Sequence, residues 1–282
     1  MHLKDLTGRS VLITGAASGI GKAAAIAFGR EGASPVIVVD INSGGLNATG
    51  SELDNLGCNV HGFTVDVSDY ESVRAMVETV LMSVGRIDIL VNVAGWGMMS
   101  PIEELDLADW KGVIDVNLYG TIHMVHAVLP HMIERKTGHI VNVASIDGLF
   151  VTMMYAAPYA TSKFGVVGFS EALALEASVH GIGVTCLCPG AVRTPSIDSS
   201  PIKGFRPEVR KFSKAILLIA EEPEETAQRM VSAVRKNEFL VVTTPFMRAS
   251  YFLRRHFSFI AYRWLKVWPR FHARVLDKYR LG

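Results

Sequence analysis

Short apolar segments alternate with longer segments of mixed polarity along most of this chain. A run such as Val36-Ile37-Val38-Val39 is too short for a helix and apolar at every position, as expected of a strand buried on both faces of a parallel sheet. We predict seven strands, near residues 10–14, 36–40, 60–65, 88–92, 138–144, 182–188 and 238–243, with helices between them. This alternation predicts an α/β fold, a doubly wound (Rossmann) parallel sheet covered by helices on both faces.

The composition fits one such domain. The chain has 282 residues, of which 49% are hydrophobic and 20% charged, with a formal net charge of +1. No repeat or linker divides it, so we predict one domain, residues 1–245, and a C-terminal extension, residues 246–282. The start lacks the apolar stretch of a secretory signal, which makes a cytoplasmic location the default expectation. Cys58, Cys186 and Cys188 lack metal-ligand spacing, so we expect reduced thiols and no metal site.

A glycine-rich turn follows the first predicted strand. The segment Thr14-Gly15-Ala16-Ala17-Ser18-Gly19-Ile20-Gly21 leads into an alanine-rich helical segment that begins at Lys22. Such a strand, turn and helix let the backbone approach a pyrophosphate and direct the helix N-terminal amides at its charge. The alternative is an ordinary turn of an α/β protein. Asp40 favours the dinucleotide, because it ends the second strand where a ribose diol needs an acceptor.

Asp40 also indicates which dinucleotide binds. Its carboxylate would accept hydrogen bonds from both ribose hydroxyls and would repel a 2'-phosphate. The neighbouring Ile41 and Asn42 carry no positive charge, and Lys22 fits a solvated helix side chain. We therefore predict NAD rather than NADP as the cofactor. The alternative for Asp40 is a simple turn residue at a strand end.

Tyr159 and Lys163 are the second chemical signal. They stand four residues apart in a predicted helix, which puts an ammonium beside a phenol and would lower the pKa of the tyrosine. Alone, such a pair usually marks a solvated helix face. With Ser145 upstream and the glycine turn in place, we interpret it as an acid/base pair. Tyr155 has a tyrosine and not a lysine four residues later, so we assign it to the pocket wall.

Together these motifs resemble the short-chain dehydrogenase/reductase family over roughly residues 7–243. Besides the glycine turn, the resemblance includes Asp66-Val67, Asn92-Val93-Ala94-Gly95, Asn117, Ser145, Tyr159, Lys163 and Pro189-Gly190-Ala191-Val192-Arg193-Thr194. Val93 departs from the family pattern, which usually has a second asparagine there, and we expect local tuning of the sheet. The resemblance implies hydride transfer between NAD(H) and an alcohol or ketone. We also expect a homo-oligomer, either a dimer or a tetramer.

The family resemblance implies further roles for individual residues. Tyr159 is the implied base, Lys163 lowers its pKa and holds the cofactor ribose, Ser145 positions the substrate oxygen, and Asn117 holds a water in a proton relay. The alternatives are that Ser145 only caps the following turn and that Asn117 is a satisfied helix amide. The implied cofactor contacts, in addition to Tyr159 and Lys163, are Gly15, Ser18, Gly19, Ile20, Gly21, Asp40, Asp66, Val67, Asn92, Ala94, Gly95, Pro189, Gly190, Val192 and Thr194.

The segments expected to form the substrate pocket are apolar and bulky. They follow the fourth strand, precede Tyr159 and follow Thr194, and we select Trp96, Ile146, Phe150, Met154 and Tyr155 as pocket residues. Flexible methionines suit large apolar ligands, although they also fill ordinary cores. We therefore expect a hydrophobic substrate and leave open steroids, retinoids, hydroxy fatty acyl groups and aromatic ketones.

The C-terminal extension is basic and aromatic. Residues 246–282 contain nine Lys or Arg and one acid, Asp277, which gives a local charge of +8. An apolar stripe recurs at helical spacing through Leu253, Phe257, Ile260, Trp264, Trp268 and Phe271. It could lie on an anionic membrane surface, pack on the domain, cover the pocket or contact a second subunit. We do not expect nucleic-acid binding, because the rest of the chain is acidic.

Two other functions remain open at this stage. A non-catalytic dinucleotide-binding protein could sense redox state or act as a scaffold through its extension. Intact Asn117, Ser145, Tyr159 and Lys163 argue against that alternative. A sugar epimerase or dehydratase of related fold would carry a different glycine spacing and a longer substrate domain.

Overall fold

The computed structural model describes residues 3–210, 220–257, 259 and 276–281. Within these residues the predicted parallel sheet is confirmed, with all seven strands in the order β3-β2-β1-β4-β5-β6-β7. The strands are β1 (Val11–Thr14), β2 (Val36–Asp40), β3 (Val60–Thr64), β4 (Ile89–Asn92), β5 (Gly138–Val143), β6 (Ile182–Cys188) and β7 (Leu240–Val242). Every observed strand lies within a predicted range, and boundaries differ by at most a few residues because strand ends fray.

Helices cover both faces of this sheet. They are α1 (Gly19–Arg30), α2 (Ser43–Asn55), α3 (Tyr70–Val84), α4 (Leu107–Ile114), α5 (Gly120–Arg135), α6 (Ala157–Ser178), α7 (Ser196–Ser199), α8 (Pro223–Lys236) and α9 (Pro245–His256). A π-helical turn, Asp115–Tyr119, joins α4 to α5. One core cluster lies between the sheet and the helices α1 and α8, and a second between the sheet and α3 and α5. The chain order reverses between β1 and β4, which is the position where α/β sheets bind ligands.

The amino ends of the strands carry two buried polar groups. Asp88, just before β4, is 1% exposed and accepts hydrogen bonds from the Ser10 amide (3.1 Å) and from Arg135 (2.6 Å). His139, in β5, contacts the Thr185 hydroxyl at 2.9 Å, and Thr185 in turn donates to the Glu238 carbonyl at 2.7 Å. These groups join neighbouring strands, and each has a hydrogen-bond partner, as buried polar groups require.

The extension begins with a helix that packs on the domain through one face. In α9, Met247 and Tyr251 lie against the cluster that contains Phe150 and Val242, and the Arg254 guanidinium lies 5.4 Å from the Phe150 ring. The predicted stripe uses another face, so Leu253 and Phe257 remain 56% and 44% exposed. The stripe residues Ile260, Trp264, Trp268 and Phe271 lie outside the described residues.

Among the described residues, no helix has the length and the apolar composition that crossing a membrane requires.

Candidate active site

The glycine turn after β1 has the close backbone contacts that its sequence predicts. Gly15 has φ +68, and a side chain on it would lie 2.9 Å from the Ala94 amide nitrogen. Gly19 has φ +52 and faces the Thr194 side chain, whose Cγ2 would lie 3.0 Å from an added Cβ. A Cβ on Gly21 would lie 2.1 Å from the Gly15 carbonyl oxygen, so α1 packs closely against the turn. Only glycine satisfies all three contacts.

The N-terminus of α1 is available to an anion. Ser18 precedes the helix with extended backbone and makes no side-chain capping bond, so amides of the first turn keep their donor capacity. Ile20, in that turn, is half-buried against the core beneath it. A helix N-terminus bounded by closely packed glycines suits a pyrophosphate. The turn and Thr194 therefore fit a dinucleotide placed across the carboxyl ends of β1 and β4.

Asp40 lies at the end of β2, beside this turn. Its two oxygens accept hydrogen bonds from the Ala17 and Asn42 amides, both at 3.0 Å. These bonds fix the carboxylate orientation and leave other lone pairs for a ribose diol. Lys22 pairs with Glu52 at 2.5 Å, so its charge is directed to α2 rather than to Asp40. This agrees with the interpretation of Lys22 as a surface side chain.

The other predicted adenosine contacts divide into exposed and buried groups. Asp66 accepts from the Ser68 amide and hydroxyl, at 2.9 and 2.7 Å, in a turn after β3. Val67 is buried against Gly120. Ala94 and its neighbour Val93 donate their amides to the Thr14 hydroxyl, at 3.2 and 3.1 Å.

Asn92, a predicted cofactor contact, has its side chain inside the sheet. The residue is only 3% exposed, and its amide nitrogen donates to Asn142 at 2.9 Å inside the sheet. Any contact from Asn92 to the cofactor must therefore come from its main chain. Val93, which stands where the family usually has an asparagine, is partly buried against the core and plays a packing role.

The segment after β6 is held in place from two sides. The Pro189 carbonyl accepts from the Ile146 amide at 2.8 Å, and the Gly190 amide donates to the Thr243 hydroxyl at 3.4 Å. The Thr243 hydroxyl donates in turn to the buried carboxylate of Glu221. Val192 forms a parallel backbone bridge with Glu221. The sequence analysis missed Glu221 because an acidic residue in a cluster of glutamates resembles a surface position.

Ser145, Tyr159 and Lys163 converge at the ends of β5 and α6. Ser145 hydrogen-bonds the Tyr159 side chain, and the Lys163 ammonium lies 5.7 Å from the Tyr159 ring centre. Lys163 is 4% exposed and donates to the Val143 carbonyl at 2.9 Å. Ser145 also accepts from the Asp147 amide at 3.1 Å, so it is both a turn cap and a neighbour of the tyrosine. The turn-cap contact is therefore present, and the role of Ser145 in positioning a substrate oxygen stays a prediction.

The two titratable side chains of this group are shifted by burial. Burial raises the pKa of Tyr159 to about 12, while its hydrogen bond with Ser145 acts in the opposite direction. Burial also lowers the pKa of Lys163 to about 8. The expected lowering of the tyrosine pKa by Lys163 is therefore wrong for this structure, because desolvation disfavours the charged form of both groups. The lysine nevertheless lies near its titration point at neutral to weakly alkaline pH.

Asn117 lies in the π-helical turn and is fully buried. Its side-chain oxygen accepts from the Trp96 amide, and its nitrogen donates to the Trp96 carbonyl and to the Ser162 hydroxyl, each at 2.9 Å. A Cβ on Gly95 would lie 3.0 Å from the Asn117 oxygen and 3.5 Å from the Lys163 nitrogen. The side chain thus has the contacts of a satisfied amide, and it positions the loop after β4 beside the lysine. Its implied water relay stays a prediction.

The five predicted pocket residues occupy different environments. Ile146 is 3% exposed within the core, and the Trp96 ring lies against Gly112 of α4, whose added Cβ would be 3.2 Å from it. Ile146 therefore does not form an open pocket wall, because the turn after Ser145 directs it inward. Trp96 is half-buried, and its place in the pocket wall stays a prediction. Phe150 lies beneath α9. Met154 and Tyr155 line an apolar depression of about 540 Å³ with Val151, Met153, Ala156, Ala157, Ala160, Thr161 and Phe164.

Two residues near the catalytic group carry no signal in the motifs. A Cβ on Gly97 would lie 3.1 Å from the Tyr159 ring, so this glycine gives the tyrosine its space. Asp147 is 4% exposed and accepts from the Thr152 and Met153 amides at 2.6 and 3.3 Å. Burial raises the pKa of Asp147, and its hydrogen bonds fix the loop that leads to Tyr155. Its position two residues after Ser145 was the available signal.

Comparison with known proteins assigns this arrangement. The family model described as short chain dehydrogenase matches residues 9–201. The chain belongs to the short-chain dehydrogenase family. It is therefore an oxidoreductase of that family, and the resemblance inferred from the motifs is confirmed.

Relatives of this short-chain dehydrogenase are similar over most of its length. It is 41% identical, over 70% of this chain and 79% of the relative, to (2S)-[(R)-hydroxy(phenyl)methyl]succinyl-CoA dehydrogenase subunit BbsD of Thauera aromatica. A short-chain dehydrogenase/reductase from Burkholderia phymatum in complex with NAD superposes with a TM-score of 0.81 at 28% identity, covering 89% of this chain and 94% of that one.

A second solved structure carries the other cofactor. A variant of actinorhodin polyketide ketoreductase with NADPH superposes with a TM-score of 0.77 at 32% identity, covering 88% of this chain and 99% of that one. Neighbours of this fold thus bind either nicotinamide dinucleotide. The choice between them depends on the residues around the adenosine ribose, where the sequence analysis predicts Asp40 in this chain.

Proposed function

We propose that this short-chain dehydrogenase transfers a hydride between NAD(H) and a hydrophobic secondary alcohol or ketone. The observation that carries the proposal is the convergence of Ser145, Tyr159 and Lys163 at the carboxyl end of the sheet, beside the glycine turn. NAD, when bound, accepts or supplies the hydride. The turn residues Gly15, Gly19 and Gly21, with Thr194 and Asp40, would hold it.

The protein's own contribution is proton transfer and orientation. In oxidation, the Tyr159 oxygen as phenolate takes the hydroxyl proton of the alcohol, and in reduction the same oxygen returns a proton to the carbonyl oxygen. Ser145, which is hydrogen-bonded to Tyr159, would donate a hydrogen bond to the substrate oxygen. Because burial raises the pKa of Tyr159, oxidation should be faster at alkaline pH and reduction at lower pH.

Asp40 supports NAD as the favoured cofactor. Its carboxylate is oriented by the Ala17 and Asn42 amides, and Lys22 is engaged by Glu52. A 2'-phosphate at this position would meet the oriented negative charge at close range. A ribose diol would instead donate two hydrogen bonds to it.

The apolar loop that precedes Tyr159 supports a hydrophobic substrate; the depression that this loop lines does not itself include Ser145, Tyr159 or Lys163. Met154, Tyr155 and their neighbours offer little polar surface, and such a surface favours apolar ligands. The name of the Thauera aromatica relative includes a hydroxy(phenyl)methyl group, which is an aromatic secondary alcohol. We therefore place aryl-substituted secondary alcohols and ketones first among the candidates.

The outer face of α9 supports a peripheral contact with an anionic membrane surface. Phe246, Leu253 and Phe257 lie one and two helical turns apart and are exposed. Arg248 and Arg255 lie on the same helix, and such a basic, amphipathic surface suits anionic lipid headgroups.

A homo-oligomer remains a second prediction. It is supported by exposed apolar side chains in or next to other helices: Leu107, Leu175 and Val179.

The test is a screen of hydrophobic secondary alcohols and ketones. Turnover is monitored by nicotinamide absorbance, with NAD(H) and NADP(H) in parallel. We expect turnover of an aryl-substituted alcohol with NAD and a lower kcat/KM with NADP. A protein that binds the dinucleotide but turns over none of these compounds would instead match the alternative of a redox sensor or scaffold.

A further inference from the structure

The C-terminal end of the chain lies against the loop that follows Thr194. The Tyr279 carbonyl accepts from the Arg206 amide at 2.7 Å, and the Leu281 amide donates to the Gly204 carbonyl at 3.1 Å. Phe205 and Arg280 form an antiparallel bridge between these bonds. The segment Leu276–Leu281, which we name the C-terminal strap, thus contains the 3-10 turn Asp277–Tyr279 and pairs with the loop at this single bridge.

Side chains bury the strap as well. Leu276 is 2% exposed and packs with Phe205 and Val209, which are also buried. Four half-buried side chains complete this cluster: Met99, Tyr155, Ile202 and Tyr279. Burial of these apolar side chains favours the contact between the strap and the loop.

The strap also reaches the loop after β4. Arg280 forms an ion pair with Glu103, in the turn Ile102–Glu104. Met99 of this loop exchanges backbone hydrogen bonds with the loop after Thr194, to the Pro201 carbonyl and from the Lys203 amide, both at 3.0 Å. The strap, the loop after β4 and the loop after Thr194 therefore form one connected layer.

This layer borders the catalytic residues. The Tyr155 ring lies 5.0 Å from the Phe205 ring, and the Tyr155 carbonyl accepts from the Ser100 amide at 2.7 Å. Tyr155 has φ +63, a conformation that a tyrosine adopts only when surrounding contacts hold it. It stands four residues before Tyr159, and Gly97 of the loop after β4 contacts the Tyr159 ring. The strap is thus connected to Tyr159 by two routes, through Tyr155 and through the loop after β4.

We propose that the C-terminal strap Leu276–Leu281 forms the outer wall of the substrate pocket and determines selectivity for large apolar substrates. It does so by packing on buried Phe205, which contacts Tyr155, so that the half-buried Tyr155 ring is held as an apolar surface against the part of the substrate distant from the reacting carbon. A small alcohol does not reach this surface, whereas a long or aryl-substituted one gains contact area from it. This inference rests on the proposed function.

The experiment compares variants of the full chain on two alcohols with NAD, 2-butanol and 4-phenyl-2-butanol. Leu276→Ala should lower kcat/KM for 4-phenyl-2-butanol by about tenfold and change that for 2-butanol by less than about twofold. The matched control is Leu281→Ala, in the same strap but 59% exposed, which should change neither value. The affinity for NAD, measured by titration, should be the same in all variants.

A charge exchange tests the strap without removing core volume. Arg280→Glu should reproduce the selective loss in a milder form, and the double variant Arg280→Glu with Glu103→Arg should restore selectivity. This pair also carries the test if Leu276→Ala does not fold. Equal losses for both alcohols, or unchanged selectivity in Leu276→Ala and Arg280→Glu, would overturn the proposal while the parent's turnover preserves the proposed function. A parent that turns over neither alcohol nor any related ketone would overturn both.

Discussion

The two ends of the sheet both bury titratable side chains, but they do so differently. At the amino end, burial would by itself raise the pKa of Asp88, yet hydrogen bonds from Arg135 and Ser10 and the charges of Arg135 and Arg86 outweigh it and lower the pKa. At the carboxyl end, Lys163 has one carbonyl acceptor, and burial lowers its pKa to about 8. The ionised form is therefore supported at Asp88 and disfavoured at Lys163.

This difference separates a buried group that stabilises the fold from buried groups that can exchange protons. A carboxylate with several fixed donors stabilises its ionised form and does not exchange protons readily near neutral pH. Tyr159 and Lys163 instead have pKa values displaced in opposite directions, to about 12 and about 8, and strongly displaced pKa values are common at sites where a proton must move. Both side chains are buried, so burial alone does not distinguish Asp88 from Lys163. Their hydrogen-bond partners and neighbouring charges do.

The largest expected effect is on catalysis. Tyr159→Phe removes the proton-transferring oxygen and keeps the ring packing, so kcat/KM should fall by about 10² to 10⁴ while NAD affinity stays near that of the parent. Tyr155→Phe is the matched control and should retain turnover within about threefold. Steady-state kinetics of both variants measures this, and equal losses in the two would contradict the assignment of the base.

The next effect concerns acid stability at the amino end. Burial lowers the pKa of His139 to about 4, so the fold favours the neutral imidazole. Its contribution is complete above the unfolded pKa of about 6.5 and is lost as the pH falls toward about 4. Between about pH 7 and 4.5 this loss amounts to about 2 kcal/mol.

His139→Gln should therefore flatten the acid dependence of stability. Denaturant unfolding at several pH values would give the parent and variant slopes, and the parent should lose about 2 kcal/mol more than the variant. The variant will be less stable at neutral pH because it disturbs the contact with Thr185, so only the slopes are compared. Parallel curves would contradict a neutral, buried histidine.

A smaller effect is expected for cofactor preference. Asp40→Ala combined with Ile41→Arg removes the negative charge and adds a phosphate partner, which should shift the kcat/KM ratio toward NADP by about 10 to 100-fold. Asp40→Asn serves as the control, because it keeps an acceptor for the Ala17 amide while removing the charge. A parent enzyme that already prefers NADP would contradict this argument.

The smallest effect concerns the extension. The full chain should cosediment with vesicles that contain anionic lipid, and added salt should weaken the binding. Replacing the exposed Phe246 and Leu253 with serine should reduce binding, whereas the same change at exposed Leu175 on α6 should not. Equal sedimentation with neutral and anionic vesicles would argue for packing or subunit contact instead.

The sequence predicted the strands well because their apolar runs are continuous and bounded by turns. The glycine turn and the grouping of Ser145, Tyr159 and Lys163 followed from the rule that parallel strands end at the same edge. The pocket wall was harder to predict. Ile146 and Trp96 are apolar in a loop near the site, but direction in a loop depends on single hydrogen bonds, such as those of Asn117 with Trp96.

Contacts between residues distant along the chain were the other feature that the sequence did not predict. Leu276 and Arg280 lie far along the chain from Phe205 and Glu103, and no local pattern records that pairing. The helical stripe in the extension predicted an amphipathic helix, but α9 packs through Met247, Tyr251 and Arg254. Periodicity identifies a helix and its apolar positions, whereas tertiary contacts decide which of them are buried.

The most direct test of the account measures unfolding free energy and kcat/KM together in Asp88→Asn and Tyr159→Phe. Asp88→Asn should lower the unfolding free energy by roughly 2 kcal/mol or more, because it breaks a buried ionic network, and should keep kcat/KM within about threefold. Tyr159→Phe should show the reverse, with turnover lost and stability within about 1 kcal/mol of the parent. Loss of both properties in both variants would contradict the division between a structural and a chemical end of the sheet.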